Sequence, residues 1–239
     1  MSETGWISKS YNSSTTASRG MQIECVTAFN RDAEEYDRWY HKEPGSIIFE
    51  SEAAAIETLL PDGLGVEVGV GTGVFSSRLR IPVGIDPALN MIRLSKKRGI
   101  EAVLGMCESL PIRSECLDYV LLVFTICFLG DPVQSFREMG RALKERGSLI
   151  LSFIPRDSSW GKLYEEKKAQ DHPLYRYARF YTLEEVRRML HRSGFRVTGG
   201  RATLRQPPLA VKEVEDPSDV LEPDSQYGLI CLKATKAQS

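Results

Sequence analysis

The sequence predicts an α/β fold: a Rossmann-like, doubly wound sheet, mostly parallel with an antiparallel last strand, with helices on both faces and an N-terminal helical cap. Three observations predict it. Residues 65–73 read Gly-Val-Glu-Val-Gly-Val-Gly-Thr-Gly, a short apolar run that carries Glu67 and passes into three alternate glycines, Gly69, Gly71 and Gly73. Val-Phe-Ser-Ser-Arg-Leu follows as a first helical turn, and residues 81–86, Ile-Pro-Val-Gly-Ile-Asp, form a second apolar run ending in Asp86. Strand, glycine turn, helix, strand and acid is the order of the first crossover of such a sheet. Finally, 239 residues with 42% hydrophobic content suffice to bury one substantial core, so a single domain is expected.

The remaining elements follow in chain order. Residues 1–20 are rich in Ser, Thr, Gly and Asn and poor in large apolar side chains, so they cannot offset their ordering entropy and are expected as a disordered tail. Over 29–39 the residues Phe29, Ala33, Tyr36 and Tyr40 recur at helical spacing and form a tyrosine-rich face. Pro44-Gly45 ends this helix, and a second helical pattern covers 47–60 before the turn Pro61-Asp-Gly. Residues 21–61 are thus a helical cap on an α/β core spanning 62–239. After Gly130, Asp131 is a natural N-cap, with Pro132 at the first helical position and Gln134 at the capping-box position; the helix runs through Val133, Phe136, Met139 and Leu143 to Gly147. A strand then ends at Ile154-Pro155. Thr182-Leu-Glu-Glu185 opens another helix, which stops at Gly194, and the last strands are expected at 195–203 and 227–234. The charged, aromatic stretch 156–181 lies beyond the end of a strand, where ligand loops of open sheets sit, and is read as a substrate-loop insertion. The acidic run 213–224 is read as a solvated loop.

Composition excludes several classes. A formal charge of −1 with scattered basic residues disfavours a nucleic-acid partner. The apolar stretch 117–129 is too short to cross a bilayer and no N-terminal apolar run suggests export, so no membrane partner and a cytoplasmic location are expected. Cys25, Cys107, Cys116, Cys127 and Cys231 include no C-x-x-C pair, and with only three histidines neither a disulfide framework nor a metal site is expected. Cys107 and Cys127 fall on loops that should face the cofactor.

The third glycine comes one residue too early for the dinucleotide pattern G-x-G-x-x-G. The stretch from Glu67 to Gly73 instead resembles motif I of the class I S-adenosylmethionine-dependent methyltransferases, acid-x-Gly-x-Gly-x-Gly. Later landmarks recur in order. Val83-Gly-Ile-Asp86-Pro-Ala-Leu-Asn-Met91 resembles the family's second strand and following turn, and Gly105-Met-Cys-Glu-Ser-Leu-Pro111 the loop after the third strand. Leu117-Asp-Tyr-Val-Leu-Leu-Val-Phe124 resembles the fourth strand, and Gly130-Asp-Pro with Arg146-Gly-Ser-Leu-Ile-Leu-Ser152 the helix and fifth strand beyond it. The resemblance is strongest over 60–155.

It implies S-adenosyl-L-methionine as cofactor and a cofactor site made by Glu67, Gly69, Gly71, Thr72, Gly73, Asp86, Pro87, Met91, Met106, Cys107, Glu108 and Phe124. Glu67 would orient the glycine turn and the cofactor's amino group, and Asp86 would accept from both ribose hydroxyls. Met106 departs from the family, many of whose members carry an aspartate there to accept from the adenine amine; the backbone of Met106 and Cys107, or Glu108, is left for that role. Candidate acceptor-site residues are Tyr36, Tyr40, Cys127, Phe128, Tyr177 and Arg179. Cys127 and Phe128 either line an apolar acceptor pocket or pack under the next helix. No general base is visible after the fourth strand, and none is required, because in-line transfer from a sulfonium gains chiefly from positioning; His41, His172, Tyr36 and Tyr177 are the nearest proton acceptors. The chain's short length, near-neutral charge and lack of an appended recognition domain favour a small-molecule acceptor. The competing readings are a non-catalytic S-adenosylmethionine-binding protein, consistent with Met106, and a Rossmann oxidoreductase, which the glycine spacing disfavours. The oligomeric state is not legible.

Overall fold

A computed structural model describes residues 16–220 and 226–237. Three helices come first, α1 (Thr16–Arg31), α2 (Ala33–Trp39) and α3 (Gly45–Glu57). The first half of the sheet follows as β1 (Gly65–Val68), α4 (Val74–Arg78), β2 (Val83–Asp86), α5 (Leu89–Lys97), β3 (Glu101–Leu104) and β4 (Leu117–Val123). Then come α6 (Pro132–Ala142), β5 (Leu143–Phe153), α7 (Ser159–Ala169), α8 (Leu183–Arg192), β6 (Phe195–Thr203), β7 (Ser218–Asp219) and β8 (Leu229–Lys236). The sheet order is β3-β2-β1-β4-β5-β8-β6-β7. Strands β1 to β5 are parallel, and β8 runs antiparallel between β5 and β6, which gives the expected antiparallel last strand.

The central strands are covered on both faces, so they read as continuous apolar runs. Along β4, Val120 and Leu122 pack with Phe136, Met139, Val186 and Leu190 under α6 and α8, while Tyr119, Leu121 and Val123 pack with Ile56, Phe75 and Trp160 under α3, α4 and α7. This alternation is the two-residue period of a strand. The turn after β1 is held to the parallel neighbour β2, where the Gly69 and Val70 N–H groups both donate to the Ile85 carbonyl, at 2.7 and 3.0 Å. The loops that follow β1, β2 and β4 therefore share one edge of the sheet, at the strands' carboxyl ends.

Several boundaries differ from expectation. Helix α1 begins at Thr16, inside the expected tail, and residues 1–15 of that tail lie outside the described residues. Tertiary contacts hold the helix: Val26 and Phe29 pack on Ala88 and Met91, and the Asn90 backbone N–H and side-chain amide donate to Asn30 Oδ1 and carbonyl O, each at 2.8 Å. The single cap helix expected over 29–39 is broken at Asp32. Gly45 opens α3 rather than ending a helix, because its missing Cβ lets the chain pass against the Trp39 carbonyl. Helix α6 stops at Ala142, short of Gly147, since the Glu115 and Cys116 N–H groups take the Arg141 and Ala142 carbonyls and draw Leu143 onto Leu117 of β4. The stretch 156–181 contains α7, capped by Ser158, whose side chain accepts from the Gly161 N–H at 3.0 Å. Two residues of the expected acidic loop, Ser218 and Asp219, pair with β6 as β7.

Both predicted caps form. Asp131 accepts from the Gln134 N–H at 3.0 Å, and Thr182 and Glu185 form a complete capping box, with bonds of 3.2 and 2.8 Å. Thr182→Ala removes one of these bonds at the start of a helix whose Leu183, Val186 and Leu190 are buried. The expected cost is about 1 kcal/mol, or a drop in Tm of about 2–4 °C for a chain of this size, measured by thermal unfolding followed by circular dichroism.

Candidate functional site

The glycine turn leaves β1 with all three glycines in the left-handed region: φ is +74° at Gly69, +52° at Gly71 and +80° at Gly73. Their missing side chains do different work. A Cβ on Gly69 would sit inside the Thr125 side chain, and one on Gly73 would press on Ser95, whereas one on Gly71 meets nothing within 4 Å. Gly69 and Gly73 are thus required by packing, and Gly71 alone faces open space.

Two buried acids brace the turn. Asp86, at the end of β2, accepts from the Gly71 N–H at 2.9 Å through Oδ2 and from the Ala88 N–H at 2.8 Å through Oδ1. Burial pushes its carboxyl up to about 6, and these two backbone donors work in the opposite direction. Each oxygen has capacity for a further donor. Glu67 is 2% exposed and lies behind the turn, where Oε2 accepts from the Ser76 hydroxyl at 2.5 Å. Burial raises it to about 8 against the pull of Ser76, and the charge of Asp86 adds to the rise.

A cleft of about 110 Å³ opens in front of the turn. Of the residues the resemblance implicates in cofactor binding, Gly69, Gly71, Asp86, Pro87, Met91, Met106, Cys107, Glu108 and Phe124 line it. Glu67, Thr72 and Gly73 do not; they form the back of the turn. Sequence reasoning missed the roof, which is the α1 face of Gln22, Cys25, Val26 and Phe29. Gln22 Nε2 donates to Glu108 Oε1 at 2.9 Å, while Glu108 Oε2 is buried without a partner among the described residues. Burial raises Cys25 to about 12 and lifts Cys107 and Cys127 well above the ordinary thiol range. All three are therefore neutral thiols, which are poor nucleophiles.

The cap is tied to the back of the turn as well. Arg98 donates to the Thr72 carbonyl at 3.1 Å and to Asp37 of α2 at 3.0 Å. Burial pushes the Asp37 carboxyl up, but the nearby Thr72 hydroxyl and the Arg98 guanidinium outweigh it and hold the carboxyl below its usual range.

A second cavity, of about 680 Å³, adjoins the cleft, and Phe29, Tyr36, Phe124 and Phe128 line both. Phe29 meets Phe128 and Tyr36 edge-on, with ring centroids 4.9 and 5.8 Å apart. Phe124 has φ +52°, a conformation costly for a bulky residue, and it sits where β4 ends between the two spaces. Tyr36, Tyr40, Cys127 and Phe128 line the larger cavity as expected, and the Tyr36 and Tyr40 hydroxyls are 2.9 Å apart. Tyr177 and Arg179 do not line it. The Tyr177 hydroxyl accepts from Arg176, and Arg179 is exposed with its guanidinium over the Tyr181 ring. The 3₁₀ turn at Tyr175–Tyr177 turns Tyr175 inward instead, beside Tyr164 of α7, with ring centroids 4.6 Å apart.

Of the candidate proton acceptors, His41 lines neither space and sits 3.1 Å from Arg98. His172 does line the larger cavity, but its Nδ1 accepts from the Leu174 and Tyr175 N–H groups, which assigns the proton of the neutral ring to Nε2. It staples the loop. Sequence reasoning also missed Glu52, buried in this cavity. The available signal was its position on the apolar face of the 47–60 pattern, four residues after Ile48 and four before Ile56. Among the described residues no cluster of His, Cys, Asp or Glu is placed to hold a metal ion, and no helix is long and apolar enough to cross a membrane.

Known proteins share this arrangement. Residues 66–151 match a family model described as a methyltransferase domain. A SAM-dependent methyltransferase of Thermotoga maritima, described as a possible histamine N-methyltransferase, superposes with a TM-score of 0.81 at 33% identity, covering 89% of this chain and 99% of the other. An uncharacterized protein of Methanocaldococcus jannaschii is 35% identical over 213 residues, 88% of this chain and 100% of that protein. A malonyl-[acyl-carrier protein] O-methyltransferase of Geobacter sulfurreducens is 28% identical over 189 residues, 71% of this chain and 68% of its own length. By its match to the methyltransferase domain and to the Thermotoga enzyme over nearly its full length, the chain belongs to the S-adenosylmethionine-dependent methyltransferases.

Proposed function

We propose that this methyltransferase acts on a small-molecule acceptor, which enters the 680 Å³ cavity and meets the cofactor across the Phe29, Tyr36, Phe124 and Phe128 boundary. The observation that carries this reading is that shared aromatic boundary. A cavity of this size lies within the range of about 300–1,000 Å³ typical of small-ligand sites. The Thermotoga relative's description names a small amine acceptor, in keeping with it. The unpaired thiols facing both spaces suit a reducing compartment, the cytoplasm.

The residues fit the cofactor. S-adenosylmethionine supplies a methyl group on a sulfonium, already joined to a good leaving group. Asp86 accepts from the ribose hydroxyls with the capacity that Gly71 and Ala88 leave free. The open space before Gly71 admits the methionine portion against bare backbone. Glu108 Oε2, buried and unpartnered, accepts from the adenine amine in place of the acid that Met106 replaces. Glu67 acts through Ser76, as a brace under the turn. Tyr36, Phe124 and Phe128 exclude water and aim the acceptor, and orientation of this kind is worth effective molarities of about 10⁵–10⁸ M. The cleft of about 110 Å³ is smaller than a ligand pocket of ordinary size, and the Gln22–Glu108 bond at its roof is where widening would admit the cofactor.

Gly71→Ala is expected to leave a folded protein with little or no cofactor affinity, since the new methyl group points into open cleft and the positive φ costs about 1 kcal/mol or somewhat more. Gly69→Ala, by contrast, is expected to unfold the turn against Thr125. Calorimetry with S-adenosylmethionine, paired with thermal unfolding, separates the two; normal affinity in Gly71→Ala removes the turn from the site.

Cofactor affinity should also depend on pH through Asp86. The ionised carboxylate is the stronger acceptor, so affinity is highest above about pH 6 and falls as pH drops through that value. Asp86→Asn is expected to bind at least about tenfold more weakly at pH 8, the loss of a charge-assisted bond of about 1.5–3 kcal/mol, and to lose this pH dependence. A wild-type affinity that is flat from pH 5 to 8 would falsify the ribose role.

Glu67 gives the opposite sign in stability. Its folded value, about 8, lies above the ordinary 4.5, so the folded state holds its proton more tightly than the unfolded chain. That contribution is present below pH 4.5 and is lost as pH rises through 8. Without cofactor, Glu67→Gln is therefore expected to gain stability relative to wild type between pH 5 and 9. Parallel Tm curves across that range would show that Glu67 is not buried as an acid.

A further inference from the structure

Glu52 has no role in the fold or in cofactor binding. It lies on α3 between Ile48 and Ile56, is 4% exposed, and lines the larger cavity. Its Oε2 is buried without a hydrogen-bond partner among the described residues. Burial alone raises its carboxyl well above the usual range, since no neighbouring cation or donor opposes it. A carboxyl kept on the apolar face of a helix, with no hydrogen-bond partner for its Oε2 among the described residues, matches a ligand that brings the missing partner.

The surroundings specify that partner's charge. Tyr36, Tyr40, Tyr164 and Tyr175 line the same cavity as Glu52. These rings are arranged edge to face, Tyr36 to Tyr40 at 5.5 Å and Tyr164 to Tyr175 at 4.6 Å between centroids. Rings of this kind attract a cation over their faces. The cavity already shows the property: Lys167 Nζ sits 4.9 Å from the Tyr164 centroid and 5.6 Å from that of Tyr175. The other charged groups lining the cavity are Asp32, Glu35, Arg38, Lys42, Glu43, Lys167 and His172. All are exposed or partly exposed, whereas Glu52 is the buried acid.

We propose that the acceptor is a cationic amine with an apolar body, and that its ammonium group is held by the Glu52 carboxylate within the ring of Tyr36, Tyr40, Tyr164 and Tyr175. The inference rests on the reading of this cavity as the acceptor site. Glu52 is a specificity-determining residue here, and the claim concerns the group that anchors the acceptor.

The test uses the full chain saturated with S-adenosylhomocysteine at pH 7.5, titrated calorimetrically with three probes of one shape: 2-phenylethylamine, 2-phenylethanol and phenylacetate. The amine is expected to bind at least about tenfold more tightly than the alcohol, with phenylacetate weakest, because each charge-assisted contact in a desolvated site discriminates by about that factor or more. Glu52→Gln, close to isosteric, should lose at least about tenfold in amine affinity and leave alcohol and cofactor affinity unchanged. If Glu52→Gln does not fold, the ranking of the three probes on the wild-type protein decides alone. Alcohol or acid binding as tightly as the amine, or an unchanged amine affinity in Glu52→Gln, overturns the amine inference and leaves the small-molecule site standing. Failure of all three probes to bind the cofactor-loaded protein overturns the site itself, and with it the inference.

Discussion

The bond from the Gly71 N–H to Asp86 joins the end of β1 to the end of β2, and the geometry of the site depends on it. It is possible only because the chain turns through three left-handed residues in five, so that the Gly71 amide faces its neighbouring strand. The same turn brings Gly69 against Thr125 after β4, which places the end of a third strand beside the first two. A side chain at Gly69 would separate β1 from the loop after β4. The cleft is thus the space left where three parallel strands end together, and its polar wall is the pair of carboxylate oxygens that the turn itself has oriented.

Three carboxyls are buried around this edge, and their neighbours distinguish their uses. Glu67 is satisfied by Ser76 and stays inside the protein as a brace. Asp86 is half satisfied by two backbone donors and keeps capacity on the cleft side. Glu52 keeps an oxygen with no partner among the described residues, and an unpaired buried acid costs stability. The thiols follow the complementary logic. Cys25 and Cys107 line the cleft and Cys127 the larger cavity, and burial pushes each thiol upward, favouring the neutral form.

The cap helices couple the two spaces. Helix α1 roofs the cleft through Gln22 and Phe29 and is anchored at Asn30. Helix α2 supplies Tyr36 and Tyr40 to the cavity, and its Asp37 reaches the back of the glycine turn through Arg98. The back of the turn is thus tied by hydrogen bonds to the helix that lines the larger cavity.

By itself the sequence determined whatever depends on residues near one another along the chain. The glycine turn with Asp86 beyond it, the caps at Asp131 and Thr182, and the alternating strand β4 are local patterns, and the structure has them where the sequence places them. Most of the wall of the cleft was legible for the same reason, since Gly69, Gly71, Asp86, Met106 and Glu108 are carried by loops whose order a parallel sheet dictates. Tertiary structure decided the rest. It stopped α6 at Ala142 by pairing Leu143 with β4, and it ordered α1 from Thr16 by docking it on α5. It also turned Tyr175 inward while leaving Tyr177 and Arg179 outside, a choice made by one 3₁₀ turn that composition cannot register. Glu52 was visible as an acid on an apolar face, but its lack of a partner depends on what α2, α7 and the 3₁₀ turn bring against it from elsewhere in the chain, and that is a property of packing.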